Sequence, residues 1–353
     1  MQLYKLLLIT SFLFSFFEIQ KSIKKNFKYS FLQKIYIFIL WLLIAFNRGN
    51  ADYISYKNYF YLSNTYGEIT SVEKGYILLN IFVKKIGGNF DWILFITGSF
   101  FIYVLFKKYK IKYPVCFFLL YVSYNFLYDL PQTRNMLAIS LFLFGFYKYI
   151  LEDKNIGKIY SFIGLFFHKI IVVYFLYYFL KIFNYKKYIL LCFGITIITF
   201  CLKDYFLEIA KIIFTTERVE NYLVLPNKGI LQFGFYFSQI LFDFLVIYIG
   251  NYKKNINKKE EDILKFIFFP LLFATTCFIN TELIIRLLRG TFFIKCYYFF
   301  NILLKKHNKM NRNLLWIIIL MGNFIFYLSN FRASKYNFIL NLIDQIDNIK
   351  ILL

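Results

Sequence analysis

A chain of 353 residues that is 60% apolar and 24% aromatic, with mean hydropathy +0.57, has too little polar surface to clothe a soluble globule of its size. Its formal charge of +23 comes mostly from lysines in short loops between apolar stretches, the positive-inside pattern of a membrane protein and not a continuous basic groove for nucleic acid. The five cysteines, Cys116, Cys192, Cys201, Cys277 and Cys296, lie inside apolar stretches without metal-type spacing, which argues against a disulfide framework or a zinc site.

The expected fold is an all-α, polytopic transmembrane helical bundle with roughly eleven or twelve crossings, forming one integral membrane domain over residues 1–353. Residues 3 to 17 have the look of a secretory signal. No small-x-small cleavage site follows, and Glu18 and Gln20 lead straight into Lys21, Lys24 and Lys25, so a retained first helix is expected. Apolar runs then place helices near 3–19, 31–47, 91–106, 113–128 and 135–150, followed by 159–180, 187–202, 231–250, 263–279, 286–304 and 313–330.

Basic clusters recur at Lys21/Lys24/Lys25/Lys28, Lys107/Lys108/Lys110/Lys112, Lys148/Lys154/Lys158, Lys181/Lys186/Lys187, Lys253/Lys254/Lys258/Lys259 and Lys305/Lys306/Lys309/Arg312, and all should face the cytoplasm. Alternate crossings with the N-terminus outside satisfy the first three clusters, after which 159–180 has to return to the side it left. Either it is a re-entrant hairpin turning near His168, or a further crossing lies between 187 and 230. The outer face then holds a long segment at about 48–90, short turns at 129–134 and 280–286, a loop at about 203–230 and the tail from 331. Six of the seven arginines lie on or near that face.

No GxxxxGK[ST], HExxH, GxSxG or DxD motif is present, so any chemistry rests on scattered single residues. The first candidate is the stretch from Arg48 to Tyr59, where Asp52 sits among tyrosines at helical spacing; an aromatic belt with Asp52 as a helix cap is the plainer alternative. Next, Ser71 to Asn80 with Glu73 and Gly75-Tyr76 has the pattern of an interfacial helix, on which Glu73 is otherwise a solvated charge.

The stretch Tyr128-Asp129-Leu-Pro131-Gln132-Thr-Arg134-Asn135 reads as a tight outer turn whose arginine opens the next helix, where a cation is unfavourable for the helix dipole. A guanidinium beside first-turn amides suits phosphate; snorkelling to headgroups is the alternative. His168 lies in an apolar run, where ionisable groups are costly and mark function, whereas His307 lies in a lysine-rich loop. Arg286 and Arg289 stand one turn apart and suit one diphosphate, with a pair between Arg286 and Glu282 as the structural rival.

This order of signals resembles the EpsG family of bacterial exopolysaccharide proteins, which are similar to Wzy-type polymerases: Asp52-Tyr53 after the second helix, Glu73-x-Gly75-Tyr76, Arg134-Asn135-x-x-Ala138, Phe167-His168, and the late arginines before aromatics. The likeness runs from about Met1 to about Phe300 and is strongest from Arg48 to Val173. Asn50-Ala51, Lys74, Asn135 and Lys169 depart from the family's usual residues. The resemblance implies a multi-pass protein of the bacterial cytoplasmic membrane that joins undecaprenyl-diphosphate-linked oligosaccharide repeat units at its outer face, in exopolysaccharide, capsule or O-antigen synthesis.

On that resemblance His168, Asp52 and Glu73 are the catalytic candidates, Arg134, Arg286 and Arg289 bind the diphosphate, and Tyr53, Tyr56, Gln132 and Asn135 contact substrate. Arginines that offset the leaving-group charge imply a metal-independent glycosyltransferase with no cofactor. A chain-length regulator and a flippase are the expected protein partners, the bilayer its surroundings, and nucleic acid is not expected. A transporter of the same lipid-linked sugars is the alternative, which should show repeat halves and charges deep in the bundle, whereas the polar residues here gather at one face. A non-catalytic partner in a capsule assembly complex is the third.

Overall fold

The computed structural model describes residues 2–20, 28–48, 52–63, 72–126, 132–202, 205, 226–252, 254–278 and 281–332, and within them the chain is helical without a strand. In chain order the helices are α1 (Gln2–Gln20), α2 (Phe31–Ala45), α3 (Tyr53–Leu62), α4 (Lys74–Lys85), α5 (Phe90–Ile102), α6 (Pro114–Leu120), α7 (Thr133–Phe146) and α8 (Ile156–Ile163). Then follow α9 (Ile171–Leu180), α10 (Tyr185–Cys201), α11 (Pro226–Asn251), α12 (Lys258–Phe268), α13 (Thr281–Tyr297) and α14 (Lys309–Arg332). A π turn prolongs α5 to Lys108, α6 to Asn125, α7 to Leu151 and α13 to Leu303.

Among the described residues three helical stretches are long and apolar enough to cross a membrane, Phe90–Lys108, Leu231–Asn251 and Ile284–Lys306, while Leu6–Gln20, Phe31–Ala45, Pro114–Ser123, Ile156–Phe166 and Ile171–Leu180 are apolar but shorter. The chain is thus an all-α helical membrane bundle. The segment at 48–90 carries two short helices, α3 and α4. The apolar run at 159–180 is not one rod: α8 tightens into a 3₁₀ turn at Gly164–Phe166, Phe167 to Ile170 form a turn, and α9 starts afresh at Ile171. This break coincides with the turn near His168 that one of the two topological alternatives invokes. Most of the loop at 203–230, and the tail from 333, lie outside the described residues.

Several helix starts are written locally. Ser30 accepts from Gln33 N while Gln33 Oε1 accepts from Ser30 N, a reciprocal box that opens α2. Asn89, Asn184 and Asn257 cap α5, α10 and α12 through their side-chain oxygens. Pro114 takes the first position of α6, where its missing N–H costs nothing.

The chain divides into two compact units, residues 1–171 with 300–353, and residues 172–299. In the first, α1 packs on α6 and α14, α2 on α5 and α6, and α7 on α5 and α8. Fully buried Glu18 ties three of these together, accepting from Gln33 Nε2 at 2.8 Å and from Cys116 N at 2.9 Å, and Trp316 Nε1 donates to Ser15 Oγ at 3.1 Å. These bonds make α1 an integral wall of the unit. Asn301 closes the turn after α5: its amide donates to the Tyr109 and Lys110 carbonyls and its oxygen accepts from Lys112 N, each at 3.0 Å. Lys110 there has φ +49°, a left-handed conformation that costs a non-glycine residue about 1 kcal/mol or more and needs such a clamp.

A close seam lies between α7 and α8, where a Cβ on Gly145 would overlap the Ser161 hydroxyl and the Gly157 carbonyl. In the second unit, α9 seats on α13 at Gly290, against the Tyr174 ring, and the Tyr174 hydroxyl donates to the Arg286 carbonyl at 2.7 Å. Asp262 there receives Lys181 Nζ at 3.1 Å and Lys265 Nζ at 3.3 Å, and Asn251 donates to the Tyr298 hydroxyl at 2.7 Å. Three of the four described cysteines, Cys116, Cys192 and Cys296, are buried free thiols; Cys201 is an exposed one.

Gly145→Leu should therefore lower stability by about 1–3 kcal/mol or block assembly, because two backbones meet there and neither can yield. Gly194→Ala is the control: nothing lies within 4 Å of a Cβ at that position of α10, so it should be neutral or stabilising by up to about 1 kcal/mol through helix propensity. Thermal unfolding of both variants in one detergent checks the contrast.

Candidate functional site

In the first unit, three of the segments singled out by sequence converge on Arg134. Thr133 opens α7, so Arg134 sits in the first helical turn, and its Nη1 donates to Glu73 Oε2 in an ion pair. The two side chains are 19% and 14% exposed, so the pair lies at the edge of the packed interior. Glu73 is the residue before α4, with extended backbone; its carboxylate makes no capping bond to that helix and turns to the arginine instead. The guanidinium also lies over the Tyr56 ring, 5.4 Å from its centre.

Tyr56 comes from α3 and packs edge-on against Tyr76 of α4 with 5.7 Å between ring centres. Both belong to a core of Phe60, Val72, Ile77, Phe90, Ile93 and neighbours that fixes α3 and α4 on α5. Burial pushes the Tyr56 phenol above its ordinary range and Arg134 draws it partly back, so this hydroxyl stays neutral at physiological pH. Asp52 stands one turn before Tyr56, close enough to act on it electrostatically. Asp52 holds the cap position of α3 but makes no side-chain capping bond there, so the plain capping role is not its role.

Arg134 is not fully satisfied. Its Nε is buried with no hydrogen-bond partner, as are the Asn135 side-chain oxygen, the Tyr76 hydroxyl, both polar atoms of the Asn80 amide and the Thr97 hydroxyl. Asn135, Tyr76, Asn80 and Thr97 are each at most 2% exposed. Buried polar groups left this way cost about 1–3 kcal/mol apiece, and they mark a place built for a polar guest or water. A cavity of about 10 Å³, room for a single water, lies between Asn47, Thr97 and Thr133, directly beside the first turn of α7. Gln132 precedes that turn and its oxygen accepts from Asn135 Nδ2 at 3.2 Å. Tyr53 is engaged elsewhere, donating to Asp91 at 3.3 Å, while Arg48 pairs with the same carboxylate at 2.9 Å.

The His168 turn is seated on this group from the side. A Cβ on Gly75 would fall 2.6 Å from the Phe166 carbonyl oxygen, and one on Gly164 would fall 3.0 Å from the Ala138 carbonyl, one turn along α7 from Arg134. Gly75 and Gly164 thus admit the 164–168 turn against both α4 and α7, and Phe167 packs on the Tyr56–Tyr76 core. His168 is half-buried, and its Nδ1 accepts from Ile170 N at 3.2 Å. With Nδ1 occupied as an acceptor, a neutral imidazole carries its proton on Nε2. This places His168 as a hydrogen-bond donor more readily than as a base.

Arg286 and Arg289 lie in the second unit. Both are already inside α13, which starts at Thr281, five residues earlier than the apolar run indicated. Arg289 is 3% exposed. The Glu282 side chain, the suggested partner of Arg286, falls outside the described residues, as do Tyr128, Asp129 and Pro131. One pair escaped sequence reading: Asp243 of α11 and Lys295 of α13, bonded at 2.9 and 3.1 Å and both buried inside candidate spans. The expectation that the polar residues gather at one face is corrected by it. Single charges 52 residues apart in apolar runs carry no signal of pairing until the helices are placed. Among the described residues no cluster of three or more His, Cys, Asp or Glu side chains could hold a metal ion.

Removing one member of the Arg134–Glu73 pair strands the other. Glu73→Leu and Arg134→Met alone should each cost about 1.5–3 kcal/mol, and the double variant should recover most of that loss. A double-mutant cycle read by thermal unfolding gives the coupling.

Comparison with known proteins yields one match. The EpsG family model covers residues 30–342, nearly the whole chain, whereas no curated protein and no solved structure matches. The matched span holds Asp52, Glu73, Arg134, His168, Arg286 and Arg289, and so takes in the ion pair, the seated histidine turn and both late arginines. The chain belongs to the EpsG family of membrane proteins, whose members are polysaccharide polymerase-like.

Proposed function

We propose that this protein is a membrane polymerase joining undecaprenyl-diphosphate-linked oligosaccharide repeat units at the outer face of the bacterial cytoplasmic membrane. The observation that carries this is Arg134: a guanidinium at a helix start, braced by Tyr56 and Glu73, with a buried Nε still unbonded. A planar fork at a helix N-terminus suits the oxygens of a diphosphate.

In the reaction the acceptor sugar's hydroxyl oxygen bonds to the anomeric carbon of the donor, the anomeric carbon–phosphate oxygen bond breaks, and its electron pair leaves on the diphosphate. Arg134 stabilises the charge that develops on that leaving group, and a carboxylate takes the hydroxyl proton. Arg286 and Arg289 are proposed as further phosphate-binding groups, carried by the second unit. Tyr56, Gln132 and Asn135 are proposed to meet the sugars, and His168, with its proton on Nε2, to donate a hydrogen bond to donor or acceptor. Arginine supplies the charge that a divalent ion would otherwise bring, so the proposed enzyme is metal-independent.

The second reading, transport of the same lipid-linked sugars, is favoured by the buried Asp243–Lys295 pair, since ionised groups inside candidate spans often line a path. Reconstitution separates the two. With lipid-linked repeat units on the outer side, the polymerase reading expects glycan chain growth that EDTA does not slow. Arg134→Lys, which keeps the charge and loses the fork, should cut turnover by about 100-fold or more, and His168→Gln, which keeps one amide donor, should retain much of it. Movement of lipid-linked units across the bilayer without chain growth would instead establish the transporter.

Topology follows from the same proposal: cysteines placed at Lys107, Lys186 and Lys258 should resist a membrane-impermeant thiol reagent in intact cells, and one at Gln132 should react.

A further inference from the structure

The ion pair at the centre of the site presents a contradiction for a phosphate-binding arginine, because a resident carboxylate already occupies it. Among the described residues Glu73 does not cap α4, and its charged partner is Arg134. It uses one edge of the guanidinium, through Nη1, while Nε stays buried and unbonded. A phosphate, with several oxygens, can engage Nε and a terminal nitrogen together, whereas Glu73 where it stands engages one nitrogen alone. The Tyr56 ring below the guanidinium holds its plane whichever anion is present.

We infer that Glu73 is a displaceable mask on Arg134, exchanged for the diphosphate when the lipid-linked donor arrives, and that the carboxylate so released is the base for the acceptor hydroxyl. This rests on the polymerase reading above and adds an order of events to it. Before binding, the carboxylate is held by Arg134 and turned away from any acceptor. Once phosphate oxygens take both nitrogens, Glu73 is left unpaired beside the leaving group and can take the proton as the acceptor oxygen bonds to the anomeric carbon and the diphosphate departs with the electron pair. Protonation of Glu73 removes its charge, so it cannot recapture Arg134 until it gives the proton to water and the diphosphate product leaves. A base exposed only when the donor is in place also keeps water from being activated in an empty site.

The exchange has an unusual signature, because removing the mask should improve binding while abolishing chemistry. The probe is farnesyl diphosphate, titrated against the full-length protein in lipid nanodiscs, with thermal unfolding confirming that each variant is folded. Glu73→Gln keeps the shape of the side chain and loses the competing charge, and should bind at least about tenfold tighter than the wild type, equivalent to about 1.4 kcal/mol of competition removed. Its turnover with lipid-linked repeat units should fall by about 100-fold or more, and Glu73→Ala should regain part of its turnover in added formate. Should Glu73→Gln not assemble, Glu73→Asp, one methylene shorter, tests the same point, with tighter probe binding and slower turnover expected. Wild-type binding that Glu73→Gln leaves equal or weaker would overturn the mask and leave the polymerase reading standing. Tighter binding with undiminished turnover would overturn the role of base. Failure of both wild type and Glu73→Gln to bind the probe would count against the polymerase site itself, and the inference would fall with it.

Discussion

In an interior this apolar, a polar group has no water to fall back on, and every one must find its partner inside the protein or carry an open cost of several kcal/mol. Much of the structure is a set of answers to that constraint. Glu18 is bonded by an amide side chain and a backbone N–H from two other helices. Asn301 uses its donors and its acceptor together on a single turn. Asp262 gathers two lysines, and Asp243 takes both of its bonds from Lys295. Against this background the unbonded atoms of Tyr76, Asn80, Thr97, Arg134 and Asn135 stand out, since they share the helices α4, α5 and α7 around one ion pair.

Glycines decide how that ion pair is surrounded. Gly145 and Gly157 let α7 and α8 touch along their backbones, which fixes where the end of α8 arrives. Gly164 and Gly75 then let the following turn settle against α7 on one side and α4 on the other. Each added methyl would meet backbone or a packed group and not the tip of a flexible side chain, except at Ser161. The seating of the 164–167 turn against α4 and α7 is therefore a property of absent side chains.

Much of this was legible in the sequence. The longer helices follow from apolar runs of about 16 residues or more, whereas the caps Ser30, Asn89, Asn184 and Asn257 set starts that the runs do not mark, as at α12, which begins at Lys258 and not at 263. Glu73, Arg134 and Tyr56 stood out as charges and rings in the stretches expected on the outer face. Their mutual contact did not, since residues 56, 73 and 134 meet only through tertiary packing. The break in 159–180 was one of two ways to satisfy the alternation of basic clusters, and no proline in the residues themselves marks it. The Asp243–Lys295 pair was hidden for the same reason as the Arg134 contact, and the tautomer of His168 depends on a backbone N–H two residues on, which periodicity does not reveal.

The first unit is discontinuous in sequence: α1 is bonded through Ser15 to Trp316 of α14, and the turn after α5 is held by Asn301. Synthesis at about 5–20 residues per second separates the appearance of these partners by tens of seconds. Over that interval the indole partner of Ser15 does not yet exist, Lys110 has no clamp for its left-handed turn, and the intervening 128 residues of the second unit are being inserted. The nascent first unit thus waits, half assembled, for the last helices to be made. Whatever shields its unfinished faces in the meantime, lipid or an insertion chaperone, is as much a requirement of this fold as any bond within it.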